Sequence, residues 1–121
     1  MKVLIVDDTE FYIKTYRIKL LSEGYEVKSA TDGLGALKQL KADKPDILLL
    51  DLMMPVMDGF KVLQTMKSDP GLEDIPVVVF SAKGDMEEVS KAMEAGASDF
   101  LVKATTTPNK VVEKINKVLS R

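Results

Sequence analysis

Short apolar segments of strand length occur along the chain, separated by stretches in which apolar residues recur every three or four positions. A continuous apolar run bounded by polar residues indicates a strand buried on both faces of a sheet. One segment instead alternates polar and apolar residues, which is typical of a strand at a sheet edge. The five predicted strands are Val3–Val6, Glu26–Ala30, Ile47–Leu50, Ile75–Phe80 and Asp99–Val102.

Helical spacing and capping residues predict one helix after each strand. Asp85 with Glu88 three residues on resembles a capping box, and Gly24 and Gly96 are expected to end the first and fourth helices. The expected starting points are Thr9, Thr31-Asp32-Gly33, Asp58-Gly59, Asp85 and Thr107-Pro108. The residues expected to face the core are Tyr12, Ile13, Tyr16, Leu20, Leu21, Leu34, Leu37, Leu40, Phe60, Leu63, Met66, Met86, Val89, Ala92, Met93, Val111, Val112, Ile115, Val118 and Leu119.

The order of these elements is strand then helix, five times over, and it predicts an α/β fold. Strands that alternate with helices pair in parallel through right-handed crossovers, so the helices cover both faces of a doubly wound sheet. The length of 121 residues suits one core, and no low-complexity tract or linker interrupts it. We therefore expect a single domain over residues 1–121.

Polar residues directly follow four of the predicted strands: Asp7 and Asp8, Asp51, Ser81 and Lys103. The carboxyl ends of parallel strands meet at one edge of a sheet, where ligands of such folds bind. Three carboxylates gathered there would repel, by about 4 kcal/mol for two charges roughly 4 Å apart at an effective dielectric constant of about 20. A divalent cation and a lysine would offset that repulsion, and a carboxylate beside them can attack a phosphoryl group.

Composition narrows the chemistry of this predicted site. The chain has no histidine and no cysteine, which excludes disulfides, thiolate or imidazole metal ligands and a Ser-His-Asp triad. A metal bound by carboxylates alone must be a hard cation, for which Mg²⁺ is the natural candidate and Mn²⁺ a substitute. A net charge of −2 gives no electrostatic footprint for nucleic acid. No apolar run approaches the about 20 residues of a membrane span, so we expect a cytoplasmic protein.

Four sequence blocks together resemble the receiver domain of two-component response regulators, of the chemotaxis-regulator-like kind. They are Asp7-Asp8, Asp51-Leu52-Met53-Met54-Pro55-Val56-Met57-Asp58-Gly59, Ser81-Ala82-Lys83 and Lys103. Their order and spacing agree with that family over nearly the whole chain. The resemblance implies a flavodoxin-like (βα)5 three-layer sandwich whose parallel sheet has the order 2-1-3-4-5.

The resemblance also implies a phosphoacceptor and a metal site. Asp51 matches the acceptor, which takes phosphate from a sensor histidine kinase, a histidine phosphotransfer protein or a small phosphodonor. Asp8, Asp51 and the backbone carbonyl of Met53 match the Mg²⁺ ligands, and Asp7 supports the metal directly or through water. The product would be the signal itself, so the chain is expected to be a phosphoacceptor with slow self-dephosphorylation rather than a turnover enzyme.

The remaining implied roles concern signal output. Lys103 would pair with the new phosphate, Ser81 would move to hydrogen-bond it, and Phe100 matches the aromatic residue that turns inward. Phe100 as ordinary core is the alternative interpretation. Output is expected through the fourth helix, fifth strand and fifth helix, roughly residues 85–120, towards a downstream target, an output domain or a second copy in a phosphorylation-dependent dimer.

Two other functions remain open from the sequence. Ala104 stands where the family usually has proline and Thr105 where it has an apolar residue, so a pseudo-receiver that only binds partners is one alternative. A phosphohydrolase with an aspartyl intermediate is another, although Met53 occupies the position where such enzymes have a second aspartate. We expect a trans Lys103–Ala104 peptide bond in a rearranged loop, because a non-proline cis bond costs about 2.5–4 kcal/mol.

Overall fold

A five-stranded parallel sheet forms the centre of the protein in a computed structural model that describes residues 1–120. Its strand order is β2-β1-β3-β4-β5, and every neighbouring pair is parallel, which confirms the predicted topology. The strands are β1 (Lys2–Val6), β2 (Glu26–Ala30), β3 (Ile47–Leu50), β4 (Val77–Ser81) and β5 (Asp99–Val102). β4 begins later than predicted because Pro76 has no N–H to donate to a sheet ladder.

Five helices cover the two faces of this sheet. They are α1 (Glu10–Ser22), α2 (Gly33–Ala42), α3 (Gly59–Lys67), α4 (Met86–Glu94) and α5 (Pro108–Val118), and one 3₁₀ turn (Lys103–Thr105) follows β5. Two apolar clusters separate the layers: α1 and α5 pack on one face, and α2, α3 and α4 pack on the other. None of the helices within residues 1–120 is both long and apolar enough to cross a membrane.

The predicted capping residues are found at the helix starts. The Asp85 carboxylate accepts a hydrogen bond of 2.8 Å from the Glu88 backbone N–H, and the Thr107 hydroxyl accepts one of 3.3 Å from Lys110 N–H. Gly24 follows α1 with a φ of +90°, a conformation that suits glycine just beyond a helix end. These local signals mark where α4 and α5 begin and where α1 ends.

Four residues predicted to face the core are instead exposed: Leu21, Leu34, Met86 and Met93. Met86 is 85% exposed because it is the first residue of α4, at the end of the helix, where no neighbouring element covers it. The other three lie on the flank of their helices rather than on the stripe that meets the sheet. Helical spacing alone does not give the width of that stripe, so the prediction was wrong for these positions.

Candidate functional site

The carboxyl edge of the sheet brings the predicted site residues together. Val6 pairs with Leu50, so the residues that follow them, Asp7 and Asp51, lie side by side. The Asp51 N–H donates to the Val6 carbonyl at 2.9 Å and continues the ladder one residue beyond the strand. Asp8, Ser81 and Lys103 follow from the ends of β1, β4 and β5. Parallel pairing therefore places polar and charged side chains from the ends of four strands at one edge of the sheet.

Asp51 is a buried carboxylate, only 4% exposed. Its Oδ1 accepts a hydrogen bond of 3.3 Å from the Met53 N–H, and its Oδ2 lies 3.3 Å from Lys103 Nζ. Burial raises the pKa of Asp51 above its usual value, the Lys103 ammonium opposes that rise, and the neighbouring Asp7 charge adds to it. The carboxylate is thus held in place, and its anionic form is less stable than it would be in water.

Lys103 provides the positive charge of the site. Its Nζ lies 2.7 Å from Asp7 Oδ2, closer than to Asp51, and also faces the aromatic rings of Tyr12 and Phe80. Burial alone would lower the pKa of Lys103, but the hydrogen bond to Asp7 and the charges of Asp51 and Asp7 outweigh it and raise that pKa. One ammonium faces two buried carboxylates, so the site keeps a net negative charge that favours a further cation.

The acidic residues fit a hard metal ion. Asp7, Asp8 and Asp51 each offer a carboxylate oxygen, and these oxygens all lie within 4.8 Å of one another. Asp7 is buried and is held by the Thr9 N–H, which donates to its Oδ1 at 2.9 Å, whereas Asp8 is exposed to solvent. An all-oxygen donor set that is partly open to water suits Mg²⁺, which usually keeps several of its waters.

The loop after β3 folds back onto Asp51. A Cβ on Gly59 would lie 2.3 Å from the Asp51 carbonyl oxygen, so only glycine allows this close return. Val56 within the loop has a φ of +71°, a left-handed conformation that is strained for a β-branched residue. Met53 also lies in this loop with its side chain exposed, and the role of its carbonyl as a metal ligand stays a prediction.

Ser81 has a buried hydroxyl that makes no hydrogen bond within residues 1–120. The residue is 1% exposed, and an unpaired buried hydroxyl costs about 1–3 kcal/mol. Its Oγ therefore has free capacity to donate to a new acceptor at this edge of the sheet. Phe100, by contrast, lies three residues before Lys103, half-buried against the core that faces α2, α3 and α4.

Two aromatic neighbours of the site were not predicted. The sequence predicts Tyr12 as a core-facing residue of the first helix and Phe80 as the end of a buried strand. The Lys103 Nζ also lies 4.1 Å and 5.7 Å from the centroids of their rings. A sequence signal for Tyr12 exists, since it occupies the first turn of the helix that directly follows Asp7 and Asp8.

The doubly wound sheet, with its acidic edge and its lysine, defines the chain as a flavodoxin-like α/β protein. Comparison with known proteins identifies the family. The family model for the response regulator receiver domain matches residues 3–116. This chain belongs to the response regulator receiver family, as its sequence blocks predicted.

Several individual proteins are similar to the chain. Response regulator PleD of Caulobacter vibrioides is 46% identical over 102 residues, which cover 84% of this chain but 22% of PleD. Response regulator MprA of Mycobacterium avium is 38% identical over 85% of this chain and 44% of MprA. Chemotaxis protein CheY4 of Vibrio cholerae has a structure that matches with a TM-score of 0.90 at 28% identity, over 97% of both chains. The chain thus spans less than half the length of these two curated relatives.

Proposed function

We propose that this chain is a phosphoacceptor that switches a protein surface when Asp51 is phosphorylated. The observation that carries the proposal is the buried Asp51 carboxylate at the end of the central strand, with Lys103 Nζ 3.3 Å from its Oδ2 and the oxygens of two further aspartates close by. Membership of the receiver family supports it. Phosphorylation, its metal dependence and its output are the parts that require experiment.

Asp7, Asp8 and Asp51 fit Mg²⁺, and we propose that they hold it together with the carbonyl of Met53. When bound, the ion supplies positive charge for the oxygens of the transferring phosphoryl group. The protein itself orients one oxygen of Asp51 towards the phosphorus and positions Lys103 beside the phosphoryl group. Mn²⁺, with the same preference for oxygen ligands, is expected to substitute.

The transfer needs no general base because the nucleophile is already an anion. An oxygen of Asp51 attacks the phosphorus, the bond to the donor breaks, and the leaving group departs with the electron pair. From acetyl phosphate it leaves as acetate, and from a phosphohistidine whose other ring nitrogen carries a proton it leaves as neutral imidazole. Lys103 lies where it can pair with the oxygens of the group bound to Asp51. The unpartnered hydroxyl of Ser81 is proposed to donate to one of these oxygens and so gain a partner.

The product carries three acceptor oxygens and about −1.5 to −2 charges in place of the single negative charge of the Asp51 carboxylate, so the edge gains at most about one negative charge. We propose that Ser81 and Phe100 couple this change to the surface formed by α4, β5 and α5, roughly residues 85–120. The proposed partners are a sensor histidine kinase or histidine phosphotransfer protein upstream, and an output domain, a target protein or a second phosphorylated copy downstream. A cytoplasmic location forms part of the proposal.

The test is to incubate the protein with acetyl phosphate, with and without Mg²⁺, and to measure its intact mass. We expect the gain of one phosphoryl group, dependent on Mg²⁺ and abolished by Asp51→Asn. Asp58→Asn is the matched control, because it removes a carboxylate from the same loop while asparagine still caps α3, where Asp58 accepts from Lys61 N–H.

Other outcomes would favour other functions. No mass gain and no Mg²⁺ binding dependent on Asp8 and Asp51 would favour a pseudo-receiver. Steady release of phosphate from phosphate esters at enzyme-like rates would favour a phosphohydrolase instead of a signalling acceptor.

A further inference from the structure

The ammonium of Lys103 lies against an aromatic ring as well as against carboxylates. Its Nζ is 4.1 Å from the centroid of the Tyr12 ring, well inside the about 6 Å over which a ring attracts a cation. Phe80, at 5.7 Å, lies at the limit of that range. Tyr12 is therefore the principal uncharged partner of this ammonium.

The Tyr12 ring is itself held in place by its neighbours. It meets the Phe80 ring edge to face at 5.8 Å and stacks on Tyr16 at 6.4 Å. Phe80 and Tyr16 are both buried, so the ring is anchored to the apolar core beneath the site. The cluster forms a fixed aromatic platform that reaches from the core to Lys103.

The backbone that follows Lys103 restrains the position of the Lys103 side chain much less than the aromatic cluster does. Within residues 1–120 every peptide bond is trans, so Lys103–Ala104 is trans as expected, and it begins a single 3₁₀ turn. Ala104 and Thr105 are exposed and pack against no core. The position of the ammonium therefore depends on what its side chain touches.

Two of those contacts are carboxylates whose charge balance changes when a metal ion binds or a phosphoryl group arrives. The ring is not proposed to bind the metal ion or the phosphoryl group, so its attraction for the ammonium persists throughout the reaction. We infer that Tyr12 is a positioning residue for phosphoryl transfer, which keeps Lys103 beside Asp51 through the face of its ring. This inference rests on the proposed function of Asp51.

The experiment compares the rate of phosphorylation by acetyl phosphate in four variants. Tyr12→Phe keeps the ring face and should react within about twofold of the wild type. Tyr12→Leu and Tyr12→Met keep apolar volume but lose the face, and should react roughly three- to tenfold more slowly. Ile18→Met is the control, since it changes an apolar residue further along α1 that is 71% exposed.

Two readouts separate positioning from a general loosening of the site. The Mg²⁺ concentration for half-maximal rate should not rise in Tyr12→Leu or Tyr12→Met, because the aspartates are untouched, whereas a loosened α1 would weaken Mg²⁺ binding. In NMR spectra, the Lys103 methylene protons next to Nζ should be shifted upfield by the ring in the wild type and in Tyr12→Phe. That shift should be lost in the two non-aromatic variants.

Wild-type rates in both non-aromatic variants would overturn the inference while leaving the proposed function intact. Slower rates accompanied by weaker Mg²⁺ binding, or an unshifted Lys103 resonance in the wild type, would also overturn it. A wild-type protein that takes up no phosphoryl group would contradict the proposed function, and the inference would fall with it.

Discussion

Asp51 and Lys103 show how burial and charge act against each other on single residues. Burial raises the pKa of the aspartate, and the nearby ammonium limits that rise. The ammonium stays charged despite burial because Asp7 lies 2.7 Å away. Removing either partner of such a pair leaves a buried charge uncompensated, which typically costs about 3–5 kcal/mol. Asparagine at position 51 is therefore a better probe than alanine, because it keeps the shape and the hydrogen-bonding groups.

Val56 is the residue at which we expect stability to increase on substitution. It has a φ of +71° and is 75% exposed, so its side chain contributes strain without burial. Val56→Gly should raise the free energy of unfolding by about 0.5–1 kcal/mol, since relief of about 1–2 kcal/mol of strain exceeds the entropy that glycine adds to the unfolded chain. Urea unfolding measures the change.

Val56→Ala is the matched control, because alanine removes the branched side chain but keeps a Cβ in the left-handed conformation. We expect it to change the free energy of unfolding by less than about 0.5 kcal/mol. Equal stabilisation by alanine and glycine, or a loss of stability with glycine, would contradict the strain account.

At the scale of elements, the sequence predicts strands better than the exposed faces of helices. An apolar run such as Ile47–Leu50 is buried on both sides, so its position follows from composition alone. A helix such as α4 buries a single residue fully, Ala92, and which of its apolar residues remain exposed depends on how neighbouring elements cover it. Leu34 and Met86 were misplaced for that reason, because coverage is a tertiary property.

The junction between α2 and the sheet provides a pH prediction. Asp43 caps the end of α2 and lies 2.7 Å from both Lys2 of β1 and Lys28 of β2, and its hydrogen bonds to these lysines lower its pKa to about 2. The unfolded value is about 3.9, so the stabilisation is fully present above that pH and is lost as pH falls towards 2. The wild type should exceed Asp43→Asn in unfolding free energy at pH 6, and the difference should narrow steadily below about pH 4.

Asp74→Asn controls for the loss of one negative charge, because Asp74 is exposed and forms no ion pair within residues 1–120. Thermal unfolding at a series of pH values measures all three proteins. An advantage of the wild type over Asp43→Asn that stays constant from pH 6 to the acid limit would rule out the ion pairs as its source.

For the whole molecule, the fold follows from the alternation of strands and helices in the sequence, and the site follows from the polar residues after four of the five strands. Parallel pairing then makes the convergence of Asp7, Asp51, Ser81 and Lys103 a geometric necessity. The sequence could not predict which of these groups touch each other: Lys103 lies closer to Asp7 than to Asp51, and its aromatic neighbour Tyr12 comes from α1. Such contacts depend on side-chain packing between elements that are distant in the chain.

The acidic edge should also link metal binding to the stability of the whole fold. A ligand that binds only the native state at about 100 times its dissociation constant adds about 2.7 kcal/mol. Mg²⁺ at that excess should raise the melting temperature by roughly 10 °C, and Asp8→Asn should largely remove the increase. Sodium chloride at matched ionic strength is the control, and an equal increase with either salt would show that no specific site is involved.

The central claim is that the phosphoryl group is carried by Asp51 and by no other residue. Reduction with borohydride after treatment with acetyl phosphate and Mg²⁺ converts an aspartyl phosphate to homoserine, and peptide mass spectrometry locates it. The account predicts homoserine at position 51 alone and none in a sample prepared without Mg²⁺. Homoserine at Asp7 or Asp8, or its absence from a protein that has gained the mass of a phosphoryl group, would contradict the account.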